Sequence, residues 1–332
     1  MFKHPRPITG KTNPPIPLLS YPISKMSSVI VFGPTGSVGS VVAITAQQLG
    51  AKVFLAMRDT TKAIPDLTPE AEKAGEFERI QADLTQPETV TAAVQSSGAK
   101  RAFIYRANGM PDHMRSTLIA LKSAGVEFVV FLSSYTIAGD PRDVDPEDMI
   151  PFIHAQIEIN LDEVFGADHY VAIRPGGFAT NLLRFKDGIV SGELKMFGPM
   201  FKMDFVTPVD MGQISGRVLV QGPKNNQRKV YVYGPQILPQ KEGVEVIAKV
   251  LGKEVKFLPV TPSQAIEQFM ASGVPKPVAL YMVDKLDNSD NAGQERAHYA
   301  SGVENVKLYL GRPATTLEAW AEGLKDVFED RG

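Results

Sequence analysis

The chain has 332 residues, 43% of them hydrophobic, with 35 basic against 37 acidic side chains for a net charge of −2, and it has no cysteine. That length and apolar content suit a sizeable core, while the near-balanced charge, without a block of five like charges, argues against a nucleic-acid polyanion as the main partner. The absence of cysteine excludes disulfides, thiolate metal sites and a thiol nucleophile; it suits a reducing compartment, so the cytoplasm is the expected location.

Residues 1–26 are rich in proline and basic side chains and carry no continuous apolar stretch, so they read as an irregular extension rather than a signal peptide. No apolar run is long enough for a membrane helix, which leaves a small molecule as the expected partner. From residue 28 short β-rich runs alternate with helix-patterned ones: SVIVF (28–32) before VVAITAQQLG, KVFLAM (52–57), FERIQA (77–82) before PETVTAAVQSSG, RAFIY (101–105) before HMRSTLIALKSAG, and EFVVFLSS (127–134). Such alternation implies right-handed crossovers and a parallel sheet covered on both faces. Gly50, Gly98 and Gly125 each follow a helical run, where a C-terminal cap wants a residue tolerant of positive φ. A helix over 151–165 leads to a further strand, HYVAIR (169–174).

After RPGGF (174–178) the rhythm breaks into Gly/Pro-punctuated segments, helices near 209–221, 240–251 and 262–272, and a long helical tail to 327, with YVYG (231–234) as a late strand returning to the main sheet. The expectation is a Rossmann-type doubly wound α/β fold: a nucleotide-binding lobe over 27–177, joined by a strand near 229–234, and a smaller C-terminal α/β substrate lobe drawn mainly from 178–330.

GPTGSVG (33–39) sits between the first strand and the first helix. Gly33 permits the tight turn, Gly36 lets backbone approach a pyrophosphate, and Gly39 lets the helix pack closely on the sheet, while the helix start offers N–H groups and a positive dipole end. Context therefore makes this a dinucleotide cradle. At the end of the second strand, where NAD-binding folds often place an acid, AMRDT puts Arg58 first; a guanidinium suits a 2′-phosphate and favours NADP(H), with Asp59 beside it still available to a ribose.

With GPTGSVG, AMRD, ADLTQPET, AGVEFVVFLSS and IRPGGFATNLL in this order, the chain resembles the NmrA-like group of atypical short-chain dehydrogenases/reductases, itself similar to isoflavone-reductase-type and triphenylmethane-reductase-type enzymes. The resemblance implies that Gly33, Thr35, Gly36, Ser37 and Val38 line the diphosphate, Arg58 the 2′-phosphate, and Asp83 with Leu84 the adenine.

Carbonyl-reducing members of the wider superfamily carry a Tyr-x-x-x-Lys pair on the helix after the fifth strand. The corresponding helix here, PFIHAQIEINLDE, has His154 and Glu158 instead. At i and i+4 they share a helical face, where a His near its ordinary pKa could exchange a proton and a carboxylate could orient it; a ribose-contacting or surface pair is the alternative. Tyr135, after Ser133-Ser134, is a second candidate proton donor, with Gly139 where a local lysine would be needed. Arg106 and His113, near the end of the fourth strand, are candidates for a pocket, Arg106 for anion recognition; Phe178 and the Met/Phe-rich KMFGPMFKM stretch are candidates for an apolar wall or for lobe packing. No ligand-spaced cluster suggests a metal, and no nucleophile elbow suggests a hydrolase.

Three functions fit. The first is an NADP(H)-dependent oxidoreductase acting on a small hydrophobic or polyfunctional metabolite. The others are a redox-neutral cyclase or isomerase keeping the same cofactor, and a non-catalytic NAD(P)-sensing regulator that docks on a protein partner.

Overall fold

The computed structural model describes residues 27–287 and 296–329; the irregular extension expected over 1–26 lies outside the described residues. The N-terminal half alternates strand and helix through β1 (Ser28–Phe32), α1 (Ser37–Gln48), β2 (Lys52–Met57), α2 (Pro69–Ala74), β3 (Glu78–Gln81), α3 (Pro87–Ser97), β4 (Arg101–Tyr105), α4 (Arg115–Ser123), β5 (Phe128–Leu132), α5 (Met149–Phe165) and β6 (Tyr170–Pro175). The chain continues with α6 (Lys186–Ser191), β7 (Glu193–Met196), β8 (Lys202–Met203), α7 (Pro208–Gln221), β9 (Lys229–Val232), β10 (Leu238–Pro239), α8 (Gln240–Val250), β11 (Lys256–Pro259), α9 (Pro262–Ala271) and α10 (Lys276–Asp287). It ends in α11 (Tyr299–Leu310), α12 (Leu317–Glu322) and α13 (Lys325–Glu329).

Seven parallel strands form the central sheet in the order β3-β2-β1-β4-β5-β6-β9. The strands are apolar on both sides because both faces are covered. Val29 and Val31 of β1 face a layer with α1, α7 and α11, through Val42, Ile214 and Val306. Ile30 and Phe32 face the opposite layer with α3, α4 and α5, through Val90, Leu121 and Leu161. The order reverses at β1, whose neighbours are β2 and β4, so a crevice opens at the carboxyl ends of β1 and β4.

A third apolar cluster is drawn wholly from residues after Phe178 and joins Leu182, Met196, Phe205, Val244 and Trp320. Two small sheets brace it, β7 with β11 in parallel and β8 with β10 antiparallel. The long helical tail expected up to 327 is instead several helices: Gly311 ends α11 in the left-handed conformation at φ +72°, and Thr316 caps a fresh start at α12 by accepting from the Ala319 amide. Among the described residues no helix is long and apolar enough to cross a membrane.

Buried Asp204 ties the two halves together. Its carboxylate accepts from the Gly177 amide at 2.9 Å, just past β6, and from the Gly234 amide at 3.1 Å, just past β9. The Arg296 guanidinium lies 3.2 Å away, and burial still pushes the carboxyl pKa up.

Candidate functional site

The cradle forms where β1 stops. Gly33 donates from its amide to Ala56 of β2 at 3.1 Å and turns at φ +71°, a conformation that side chains disfavour. A Cβ on Gly39 would stand 2.2 Å from the Gly33 carbonyl oxygen, so only glycine lets α1 begin this close to the turn. Gly36 is the N-cap of α1 and supplies no capping side chain, and the first turn contains no acid. The first amides of a helix have no acceptor within it, so this end presents uncompensated donors beside exposed Thr35, Gly36 and Ser37, with Val38 buried beneath.

Arg58 follows β2 as an exposed side chain and makes no ion pair among the described residues. Its neighbour Asp59 is turned into its own loop, where its carboxylate accepts from the Thr61 hydroxyl at 2.6 Å and amide at 2.9 Å; these bonds hold its pKa below the usual range. Beyond β3, Asp83 accepts from the Thr85 amide and hydroxyl, each at 2.9 Å, and the buried Leu84 offers its carbonyl to the Thr117 hydroxyl at 2.7 Å. The side chain missed by sequence reasoning is Tyr105. Its ring lies over Gly33, where a Cβ would meet Cε1 at 2.5 Å, and burial pushes its pKa up while the charges of Arg58 and Asp83 pull in opposite directions. The signal was there: strand alternation puts Tyr105 on the same face as Phe103, which belongs to the α1 layer.

On the opposite face at the end of β4, Arg106 and His113 line one cleft of about 320 Å³, together with Met110, Pro111, Ile153 and Ile157. His113 meets the Phe152 ring edge-on at 5.9 Å. His154 lies next to this wall against Phe131, its ring centroid 6.1 Å away, and its Nδ1 is buried without a partner. Burial, reinforced by the positive charge of Arg106, drives the His154 pKa down to about 3. The expectation of an imidazole near its ordinary pKa is therefore corrected: His154 is neutral at physiological pH.

The pairing of His154 with Glu158 is corrected too. Glu158 is fully buried and faces Arg174 of β6, which donates to it from Nε at 3.0 Å and Nη2 at 2.6 Å, while the Ser133 hydroxyl donates at 2.6 Å. Arg174 also donates from Nη1 to the Ile137 carbonyl at 2.7 Å and the Tyr231 hydroxyl at 2.8 Å. This closed network joins β5, β6, α5 and β9. It leaves the carboxylate no role in orienting the imidazole.

Tyr135 lies on the far side of this network, half-buried, with the Arg296 guanidinium 4.4 Å from its ring centroid and the Tyr233 ring edge-on at 6.0 Å. Its hydroxyl makes no hydrogen bond among the described residues. Phe178 bridges to Val206 and packs on the main core, and Met196 and Met203 of the KMFGPMFKM stretch are buried in the third cluster, so these side chains serve core packing.

An open, parallel sheet with its strand order reversing at β1 and a glycine turn leading into an uncapped helix defines a Rossmann-type α/β protein. Within that class the chain belongs to the NmrA-like family, whose model matches residues 25–321. It is 36% identical over 321 residues to the nitrogen metabolite regulation-like protein bik4 of Gibberella fujikuroi, spanning 91% of this chain and 97% of the relative. It is 26% identical to the NAD(P)H azoreductase of Xenophilus azovorans, spanning 90% of this chain and 99% of that enzyme. The fold is also similar to an NADPH-dependent quinone oxidoreductase of Escherichia coli complexed with NADPH, with TM-score 0.66, 20% identity, and 90% and 99% of the two chains covered. Triphenylmethane reductase of Citrobacter complexed with NADP(H) aligns with TM-score 0.65 and 16% identity over 90% of this chain and all of that one.

Proposed function

We propose that this protein is an NADP(H)-dependent oxidoreductase that reduces a small hydrophobic or polyfunctional molecule. The observation that carries this is the uncapped start of α1, closed against Gly33 by Gly39, with the unpaired Arg58 beside it and the competing Asp59 held in its own loop. Those residues fit a phosphorylated dinucleotide: the amides of Ser37 and Val38 at the helix start bind diphosphate, Arg58 binds a 2′-phosphate, and Asp83 with Leu84 borders the adenine. When bound, such a cofactor supplies hydride from its nicotinamide ring. The azoreductase and the quinone oxidoreductase, as relative and structural neighbour, support the same class.

His154, uncharged, offers only a neutral ring and does not act as an imidazolium acid. Glu158 holds Arg174 in place rather than moving a proton. Tyr135, whose hydroxyl has no hydrogen-bond partner among the described residues and whose ring carries the Arg296 guanidinium, is the residue left to donate a proton. A substrate whose reduced product needs no strong acid, such as a quinone, an azo compound or a stabilised cation, suits this sparse set. The test is NADPH oxidation followed with a panel of quinones, azo compounds and triphenylmethane dyes. Turnover with one class and its loss in Tyr135→Phe support the reading; cofactor binding with no oxidation across the panel refutes it.

That second outcome would favour a cofactor-binding regulator. The 36% identity to a nitrogen metabolite regulation-like protein supports this reading, as does the closure of the Glu158 network. The redox-neutral alternative draws its acid or base from Glu158, His154 or Tyr135; Glu158 is engaged by Arg174 and His154 is neutral, so that reading, like the reductase, falls to Tyr135.

A further inference from the structure

We propose that the cleft beside β4 is a carboxylate-recognition subsite, in which Arg106 grips the carboxylate of a compact, mostly apolar molecule whose body lies against Ile153 and Ile157. Arg106 is half-buried, yet among the described residues it has no ion pair and no hydrogen bond. Two other shielded arginines are compensated: Arg101 donates to the Leu219 carbonyl at 2.9 Å, and Arg174 is matched by Glu158. Desolvation without a compensating charge accordingly pulls the Arg106 pKa down. A guanidinium in that condition gains most from an incoming carboxylate, which its planar fork can hold through two parallel bonds.

The cleft walls say what the rest of the ligand is. Ala107, Met110, Pro111, Ile153 and Ile157 are apolar, and among the described residues no acidic side chain lines the space or pairs with Arg106. The volume of about 320 Å³ sits at the lower end of small-molecule pockets, enough for one or two fused rings. Asn108 and His113 complete the polar lining, and His154 behind it stays neutral. Position separates this subsite from the cradle: Tyr105 and Arg106 are consecutive, so alternation sends Tyr105 over Gly33 on the α1 face and Arg106 towards α5 on the other. Both lie at the carboxyl end of the sheet, where ligands of open α/β folds collect.

Calling the ligand a substrate rests on the reductase reading; the binding site itself does not. The experiment compares 2-naphthoate with neutral 2-naphthamide by ligand-observed NMR on the full chain, with and without NADPH. It uses wild type, Arg106→Gln and Arg106→Lys, whose folding is checked by thermal melting, and NADPH affinity is measured for each. The expected result is a preference of roughly tenfold or more for naphthoate in wild type, lost in Arg106→Gln, partly kept in Arg106→Lys, with NADPH affinity unchanged. Equal binding of the two probes, no binding of naphthoate, or a preference that survives Arg106→Gln overturns the proposal. An Arg106→Gln variant that loses NADPH affinity instead overturns it by assigning Arg106 to the cofactor. Arg106-dependent naphthoate binding in a protein that oxidises no NADPH supports the subsite and removes only the reductase reading.

Discussion

Replacing Glu158 by alanine separates a structural carboxylate from a catalytic one. Both Glu158 and Arg174 are fully shielded, and the carboxylate accepts three hydrogen bonds of 2.6 to 3.0 Å from Ser133 and Arg174. Deleting it strands a buried guanidinium, and breaking a buried pair from one side costs about 3–5 kcal/mol. Against a typical folding stability of roughly 5–15 kcal/mol, this lowers the melting temperature on the order of 10 °C. Arg174→Met, which strands the carboxylate instead, has a comparable cost. The double variant Glu158→Leu/Arg174→Met removes both charges, and the Tyr231 hydroxyl still donates to the Ile137 carbonyl at 2.9 Å, so most of the loss is recovered. Circular-dichroism melts and urea titrations of wild type, Glu158→Leu, Arg174→Met and the double variant give the coupling directly. A Glu158→Ala protein that melts like wild type but has lost turnover would show that the carboxylate works on substrate, and the buried-pair argument would fail.

The other predictions concern the cradle and His154. Gly39→Ala places a methyl 2.2 Å from the Gly33 carbonyl oxygen, which is backbone and cannot swing away; NADPH affinity measured by fluorescence titration falls at least about tenfold, while far-UV dichroism stays native-like. Arg58→Ala weakens NADPH by roughly tenfold to a hundredfold and leaves NADH within a few-fold, since one or two charge-assisted bonds to a 2′-phosphate are lost; an equal effect on both cofactors would place Arg58 elsewhere. His154 has its folded pKa lowered from 6.5 to about 3, so the unfolded chain takes up the proton first. Its neutral form costs nothing above pH 6.5, and stability drains away as pH falls towards 3, at about 1.4 kcal/mol per pH unit. Urea unfolding at pH 7 and pH 5 therefore shows wild type losing about 2 kcal/mol more than His154→Gln; parallel curves for the two proteins would contradict the buried neutral imidazole.

The parts of the fold set by local chemistry were legible in the sequence. Alternating apolar strands and helices ending near Gly50, Gly98 and Gly125 encode β1 to β5 with their crossovers, and all three glycines take positive φ. The glycine turn was readable because each glycine answers a steric demand within a few residues. His154 and Glu158 were misread because helical spacing says only that two side chains share a face. Glu158 meets Arg174 and Ser133 only after β5 and β6 have paired, and the strong downward shift of His154 comes from burial and from Arg106, residues away on another element. Arg296 over Tyr135 is equally non-local.

β6 is buried along its whole length, but its outer neighbour β9 is separated from it by residues 176–228. A ribosome releasing this chain therefore exposes an unpaired apolar strand edge until residue 232 has emerged, and Asp204 cannot clasp Gly177 and Gly234 before then. The consequence is an order of assembly: a nascent or truncated chain ending near 180 carries the glycine cradle but leaves the sheet edge open, prone to aggregate or to recruit a chaperone. Production of the cradle as a soluble fragment would need β9 to be supplied on the same chain.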